Sequence, residues 1–74
     1  MKTEKEILIK IGKRIRELRI KKGFGNYEEF AWTNELSRSH YGKMETGTAN
    51  FTMKSLLKIL KVHDISIKKF FSEL

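Results

Sequence analysis

Residues 26–47 (NYEEFAWTNELSRSHYGKMETG) predict two short helices joined by a tight turn. Asn26 is suited to cap the first helix, and Glu29, three residues later, completes an Asn-x-x-Glu capping box. Ser37 is suited to cap the second helix, which continues until Gly47 ends it. Because start and stop signals follow one another so closely, this stretch constrains the fold more than any other part of the chain.

The second helix of the pair, residues 38–46, has two unlike faces. Helical spacing puts Tyr41 and Met44 on one face, as expected for a stripe that packs on a core. The opposite face carries hydrogen-bond donors of the kind that contact base edges and phosphates in DNA, although a solvated surface would have a similar composition. This face consists of Ser39, Gly42 and Lys43, with Arg38 and His40 on its flanks.

The flanking sequence predicts three more helices. In residues 4–22, apolar residues recur at spacings of three and four, and in the last two helices the predicted caps are Thr52 and Ser66. The chain has no proline, which favours uninterrupted helices. The fold class is therefore all-α: five helices around one core in a single compact domain, residues 1–74. The apolar stripe of the first helix is Leu8, Ile11, Ile15 and Leu18, the predicted inner face of the fourth is Leu56, Leu57 and Leu60, and the apolar residues of the fifth are Ile67, Phe70, Phe71 and Leu74.

Charge is distributed unevenly along the 74 residues, whose formal net charge is +7. Residues 1–25 have a net charge of +6 and residues 51–74 of +3, whereas residues 26–50 have −2. A basic excess on a small domain suggests a polyanionic partner, with nucleic acid favoured over membrane. Phosphate neutralisation would have to come from the flanking helices and from backbone amides.

No part of the sequence has the apolar run of a signal peptide or a membrane span, so we expect a soluble, cytoplasmic protein with no membrane partner. The two histidines, the absent cysteines and the scattered carboxylates give no spacing typical of a metal site. No serine has a credible base and oxyanion hole, and His63–Asp64 lacks the partners of a hydrolase site. We therefore expect neither an enzyme nor a cofactor.

The paired helices resemble the helix-turn-helix of the Cro/C1-type (XRE) family, whose pattern is roughly S-Q-E-E-L-A-x-x-x-G-V-S-R-S-T-I-S-R-I-E-R-G. The similarity extends to IGKRIRELRIKKG upstream and LLKILKVHDISIKKFF downstream, so it covers nearly the whole chain. It implies a lambda-repressor-like domain that binds double-stranded DNA, with residues 38–46 in the major groove. The residues in register with the pattern are Glu28, Glu29, Phe30, Ala31, Leu36, Ser37, Arg38, Ser39, Tyr41, Lys43, Met44, Glu45 and Gly47.

The chain departs from the family pattern in the turn and before it. Glu35 replaces the turn glycine, and Asn34 replaces an apolar residue. One extra residue lies between Gly23 and the second helix, and Asn26 or Tyr27 stands where many members have glutamine.

The resemblance also implies which residues contact DNA. Arg38, Ser39 and Lys43 match base- or phosphate-contacting positions, and we add His40 to the base-contacting set, although its position equally fits no contact. Phosphate contacts are expected at the starts of the second and fourth helices and in the loop 46–50. The phosphate-contacting candidates are Asn26, Tyr27, Ser37, Thr46, Thr48 and Asn50.

Family members often join the first and third helices through an ion pair, which would be Arg19 with Glu45 here. Gly42 is unusual inside an exposed helix, and it favours either a close approach to DNA or a position where no side chain is needed. Trp32 and Tyr27 are more often packing residues than partners for stacked bases.

The last helix has more apolar residues than its own docking needs. Phe70, Phe71 and Leu74 either complete the core or form the seam of a homodimer, which is how single helix-turn-helix units gain affinity and register. The predicted function is sequence-specific DNA binding by a small transcriptional regulator. The alternatives are a protein-interaction module that keeps this fold and an antitoxin or phage regulator that combines both activities.

Overall fold

The computed structural model describes residues 3–74, which form five α-helices and no strand. This confirms the all-α prediction. No helix in this part of the chain is long and apolar enough to cross a membrane. The helices are α1 (Glu4–Lys21), α2 (Tyr27–Thr33), α3 (Arg38–Thr46), α4 (Met53–Val62) and α5 (Ile67–Ser72).

Each helix begins at a polar side chain that accepts hydrogen bonds from the free N–H groups of the first turn. The four predicted caps all form: Asn26 Oδ1 accepts from the N–H of Glu28 at 2.7 Å, and Ser37, Thr52 and Ser66 accept in the same way. Thr3 does the same for α1. Since a cap contributes about 1 kcal/mol, the boundaries of these short helices are fixed locally.

In the turn between α2 and α3, Glu35 stands where the family pattern has glycine. Glu35 adopts the left-handed conformation with φ of 57°, which costs a non-glycine residue about 1–2 kcal/mol. The N–H of Leu36 donates to the carbonyl of Ala31 at 2.8 Å, and the Leu36 side chain packs against the core. These contacts offset the strain at Glu35.

The prediction that Gly47 ends α3 is confirmed, and the glycine is also needed for the packing of α3 on α1. Gly47 has a φ of 76°, and the N–H of Thr48 donates to the carbonyl of Lys43 at 3.0 Å. A Cβ atom at Gly47 would lie 2.8 Å from the Cα of Ile9 on α1. The glycine therefore permits both the turn and the close packing of α3 on α1.

The core draws on all five helices. Ile11, Ile15, Leu56 and Leu60 are buried as predicted. Of the other predicted α1 residues, Leu18 packs against the margin of the core and Leu8 is half-buried. The buried apolar side chains are Ile11, Ile15, Phe30, Ala31, Tyr41, Met44, Ala49, Leu56, Ile59, Leu60 and Phe70.

The prediction that Leu57 faces inward is wrong. Leu57 is 46% exposed, and Ile59 is buried in its place. Leu56, Ile59 and Leu60 recur at three- and four-residue spacing, whereas Leu57 lies a further 100° or so around the helix from Leu56.

The apolar residues of α5 divide into two groups. Phe70 is fully buried, so of its two predicted roles it has the first: it completes the core and is not available to a dimer seam. Ile67, Phe71 and Leu74 remain about 40% exposed. Trp32, for which packing was the favoured role, is 74% exposed and contributes nothing to the core.

His63 ends α4 and packs into the interior. Its ring stacks on Phe30 with centroids 5.3 Å apart and planes within 7° of parallel, and its Nε2 atom is buried without a partner. Burial, and then the positive charge of Lys22, lowers the pKa of His63. The imidazole is thus held neutral, although the negative end of α4 would favour the charged form.

Candidate nucleic-acid interface

Helix α3 is attached to the protein through one face only. Tyr41 and Met44 are each 1% exposed and join the core. Arg38, Ser39 and Lys43 are all exposed. The division predicted from helical spacing is therefore present, with a polar face of α3 left free for a partner.

Gly12 allows α1 and α3 to cross at very short range. A Cβ atom at this position would lie 2.4 Å from the carbonyl oxygen of Met44 and 2.5 Å from that of Glu45. Real Cβ atoms do not approach backbone that closely, so only glycine fits. This role of Gly12 was not predicted, although a glycine inside the apolar stripe of a long helix is a signal for it.

An ion pair between Arg19 and Glu45 holds the same two helices together. Arg19 Nε donates to Glu45 Oε2 at 2.7 Å, and Nη2 donates to Oε1 at 3.0 Å, so the contact is bidentate. A third donor, Nη1, bonds the carbonyl of Phe24 at 2.8 Å. The side chains of Arg19 and Glu45 are only 5% and 7% exposed, and the hydrogen bond to Glu45 raises the pKa of Arg19.

Tyr41 lies beside this pair. Burial, and then the Glu45 carboxylate, raises the pKa of Tyr41 far above its usual range, so its hydroxyl stays protonated. The Tyr41 hydroxyl oxygen is buried and has no hydrogen-bond partner of normal geometry. Glu45 nevertheless lies close enough for its charge to act on the hydroxyl. The inner side of α3 thus carries an ion pair with short hydrogen bonds and one tyrosine hydroxyl without a hydrogen-bond partner.

The free face of α3 forms one side of an open concave surface, and the start of α2 forms the other. We call this the reading surface. Three of the four predicted base-contacting residues, Arg38, Ser39 and Lys43, lie on it. Its lining residues are Tyr27, Glu28, Arg38, Ser39, Gly42, Lys43 and Thr46.

His40, the fourth predicted base-contacting residue, lies elsewhere. It is half-buried and lines a separate small cleft between α3 and α4, together with Ser37 and Lys58. The structure therefore does not bring His40 to the reading surface. Ser37 is also engaged locally, since its hydroxyl accepts from the N–H of His40 at 3.4 Å.

The residues proposed to contact phosphates differ in whether their hydrogen-bonding groups are already engaged within the protein. The N–H groups of Gly47 and Thr48 donate to carbonyls of α3, so these two backbone amides are already engaged within the protein. The Thr46 and Thr48 hydroxyls are 2.9 Å apart, and both residues, like Asn50, are exposed. Asn26 uses Oδ1 to cap α2, which leaves its amide nitrogen as the outward donor.

Two features of the reading surface were not predicted. Glu28 was noted only as a residue in register with the family pattern, yet it lines the surface and offers an acceptor suited to a cytosine amino group. The ring of Tyr27 lies over Gly42, where a Cβ atom would be 2.5 Å from Tyr27 Cε1. Both follow from the crossing of α2 and α3, which periodicity does not describe.

Within residues 3–74, no group of three or more His, Cys, Asp or Glu side chains is placed to hold a metal ion. The buried titratable groups of α3 have structural roles instead, since Glu45 pairs with Arg19 and Tyr41 packs in the core.

Comparison with known proteins gives relatives that match the chain almost end to end. The control protein C.MunI from Mycoplasma sp is 30% identical over 69 residues, which are 93% of each chain. The crystal structure of the restriction-modification controller protein C.AhdI from Aeromonas hydrophila is 34% identical, with a TM-score of 0.80 over 95% of this chain and 100% of that one.

A mutant of the restriction-modification controller protein C.Esp1396I is similar as well. It is 32% identical, with a TM-score of 0.74 over 89% of this chain and 87% of its own. No protein-family model matches the chain.

Proposed function

Because the chain belongs to the controller proteins, which are small Cro/C1-type helix-turn-helix regulators that bind DNA, we propose that it reads a specific operator through the outward face of α3. Helix α3 would enter the major groove, and the start of α2 would lie against the phosphate backbone. The resemblance inferred from residues 26–47 thus agrees with the relatives found.

One observation carries this proposal: α3 is held rigidly on its inner side and exposes hydrogen-bond donors on its outer side. The buried contacts of Tyr41 and Met44 fix the helix, and Arg38 and Lys43 project from a concave surface. A rigid support keeps such donors in position, so little entropy is lost when they meet base edges.

The contacts divide by chemistry. Arg38 suits the O6 and N7 atoms of guanine through a bidentate contact, and Lys43 suits the same atoms or a phosphate. Ser39 suits either kind of contact. Asn26, Tyr27, Thr46, Thr48 and Asn50 remain our candidates for phosphate contacts through their side chains, at the start of α2, at the end of α3 and in the loop after it.

We further propose that the operator belongs to the genes of a restriction-modification system. The support is that two of the relatives are described as restriction-modification controller proteins and the third as a control protein. A regulator of this kind would act in the cytoplasm, where it meets its DNA.

A homodimer is proposed as the binding unit. Phe71 on α5, Leu74 just beyond the end of α5 and Leu57 on α4 are exposed apolar side chains, and the two helices pack together. A two-fold pair would place its reading helices about 34 Å apart, one turn of B-DNA. Sedimentation should show a dimer that Phe71→Glu weakens. Trp32→Glu, at an exposed aromatic residue on α2, is the control that should leave the dimer intact.

Selection of bound sequences from a random duplex library, followed by binding measurements, tests the proposed function. Wild-type protein should enrich one motif, and Arg38→Ala should lower affinity for it by about 1–3 kcal/mol while random duplex is bound as before. Glu17→Ala, on the exposed face of α1, is the control. Equal weakening on all sequences would reassign Arg38 to a phosphate.

Salt dependence separates the DNA regulator from the rival protein-interaction module. Affinity of a DNA-binding protein should fall steeply as salt rises, because phosphate contacts release counterions. An absence of binding to any duplex at low salt would contradict the proposed function and favour the rival.

A further inference from the structure

Gly42 leaves a gap in the middle of the reading helix, and Tyr27 fills that gap. A Cβ atom built on Gly42 would lie 2.5 Å from Cε1, 3.0 Å from Cζ and 3.2 Å from Cδ1 of Tyr27. One edge of the ring therefore rests on the glycine, where a side chain of residue 42 would otherwise start. The missing side chain is a condition for this contact.

The ring remains available to a partner. Tyr27 is 39% exposed, and it lines the reading surface beside Arg38, Ser39 and Lys43. Gly42 covers one edge of the ring, so the exposed part belongs to the rest of the side chain. Tyr27 is anchored in the first turn of α2, whose start is fixed by the Asn26 cap.

We propose that Tyr27 supplies the DNA-contacting side chain that Gly42 lacks. Its exposed ring edge contacts the 5-methyl group of a thymine in the operator. This inference rests on the proposed function, and it assigns to Tyr27 a specificity role in place of the phosphate contact suggested by its sequence position.

The chemistry of the major groove singles out thymine. The thymine methyl is the one sizeable apolar group that the base pairs display there, since the groups that otherwise distinguish them are hydrogen-bond donors and acceptors. Arg38, Ser39 and Lys43 supply polar contacts, so an aromatic edge among them has one complementary group on the DNA. The contact removes apolar surface from water on both sides.

Replacement of thymine by deoxyuridine tests the contact, because it deletes only the methyl group. In the duplex selected by wild-type protein, each thymine is replaced in turn and affinity is measured by fluorescence anisotropy. The affinity of wild-type protein should fall about fourfold when one particular thymine in each half-site is replaced. This loss corresponds to about 0.8 kcal/mol, the value for a buried methyl-sized group. Other thymines should have little effect.

Three variants identify the residue responsible. Tyr27→Phe keeps the ring and should keep the fourfold loss, whereas Tyr27→Gln removes the ring and should abolish it. Gly42→Ala keeps the tyrosine at position 27 but adds a Cβ atom that displaces its ring, so the loss should shrink there too. Far-UV circular dichroism and thermal unfolding verify that each variant is folded.

Two results would overturn the inference while leaving the proposed function intact. In the first, Tyr27→Gln still binds the selected duplex and retains the same loss at the same thymine. In the second, Tyr27→Phe weakens binding equally on all sequences, which assigns the hydroxyl to a phosphate. Failure of wild-type protein to select any duplex would instead contradict the proposed function, and this inference with it.

Discussion

Replacement of Arg19 by methionine should destabilise the protein far more than the loss of an ordinary surface ion pair. The guanidinium makes three short hydrogen bonds, two to Glu45 and one to the Phe24 carbonyl, in a site where both charged side chains are more than nine-tenths buried. Arg19→Met leaves the Glu45 carboxylate buried and unpaired, for which the expected cost is about 3–5 kcal/mol.

The total stability of a domain this small limits how that loss appears. At about 0.05–0.15 kcal/mol per residue, 74 residues give roughly 4–11 kcal/mol, so Arg19→Met removes a large share. A loss of about 3 kcal/mol corresponds to a fall in Tm of roughly 12 °C or more. Glu45→Gln should cost less than Arg19→Met, because its amide oxygen still accepts one hydrogen bond.

Urea unfolding followed by far-UV circular dichroism measures these differences, and the double variant completes the cycle. Arg19→Met with Glu45→Gln should cost at least about 1 kcal/mol less than the sum of the single losses, because the second replacement removes the stranded charge. The matched control is Lys69→Met, which breaks an exposed pair with Glu73 and should cost under about 1 kcal/mol. Additive losses would refute the account of the pair.

Two further predictions concern the packing around α3 and the core behind it. Gly12→Ala should cost about 1–3 kcal/mol in urea unfolding, because the new methyl group meets α3 backbone at 2.4 Å, whereas Gly25→Ala, with no atom within 4 Å, should be nearly neutral. An unaffected Gly12→Ala would argue against the close crossing. Because the pKa of His63 is lowered on folding, the unfolded chain binds the proton more readily, so stability should fall as the pH drops below about 6.5. His63→Gln should remove that step and His40→Gln should not, and a step that survives His63→Gln would assign it to another group.

The helices and their caps were predictable because their signals are local. Asn26, Ser37, Thr52 and Ser66 each act on the N–H groups two or three residues ahead, so the sequence around each cap already contains the interaction. Gly47 is local in the same sense. Tyr41 and Met44 were identified by spacing because α3 has few apolar residues to choose from.

Errors arose where several apolar residues adjoin. In α4 the run LLKIL fits more than one inward face, and only the neighbouring helices decide that Ile59 is buried and Leu57 is not. Phe70 and Phe71 pose the same problem in a helix of six residues. Which of two adjacent residues faces the core depends on the helix crossing, which has no local signal.

Only part of the candidate DNA-contacting site was predictable, because its remaining contacts depend on how the helices cross. The identities of Arg38, Ser39 and Lys43 followed from spacing and family resemblance, and their shared surface is present. His40 faced a different cleft because α4 covers that flank of α3. The contacts of Gly12 with α3 and of Tyr27 with Gly42 join residues 15 or more positions apart, so no single-helix pattern contains them.

The central claim is that the free face of α3 lies in the major groove of the operator. Intermolecular nuclear Overhauser effects between isotope-labelled protein and the selected duplex measure this directly. The account predicts contacts from Ser39 and Lys43 side-chain protons to major-groove protons such as cytosine H5 and the thymine methyl group. Contacts that come instead from the exposed face of α1, or that reach only minor-groove protons, would contradict it.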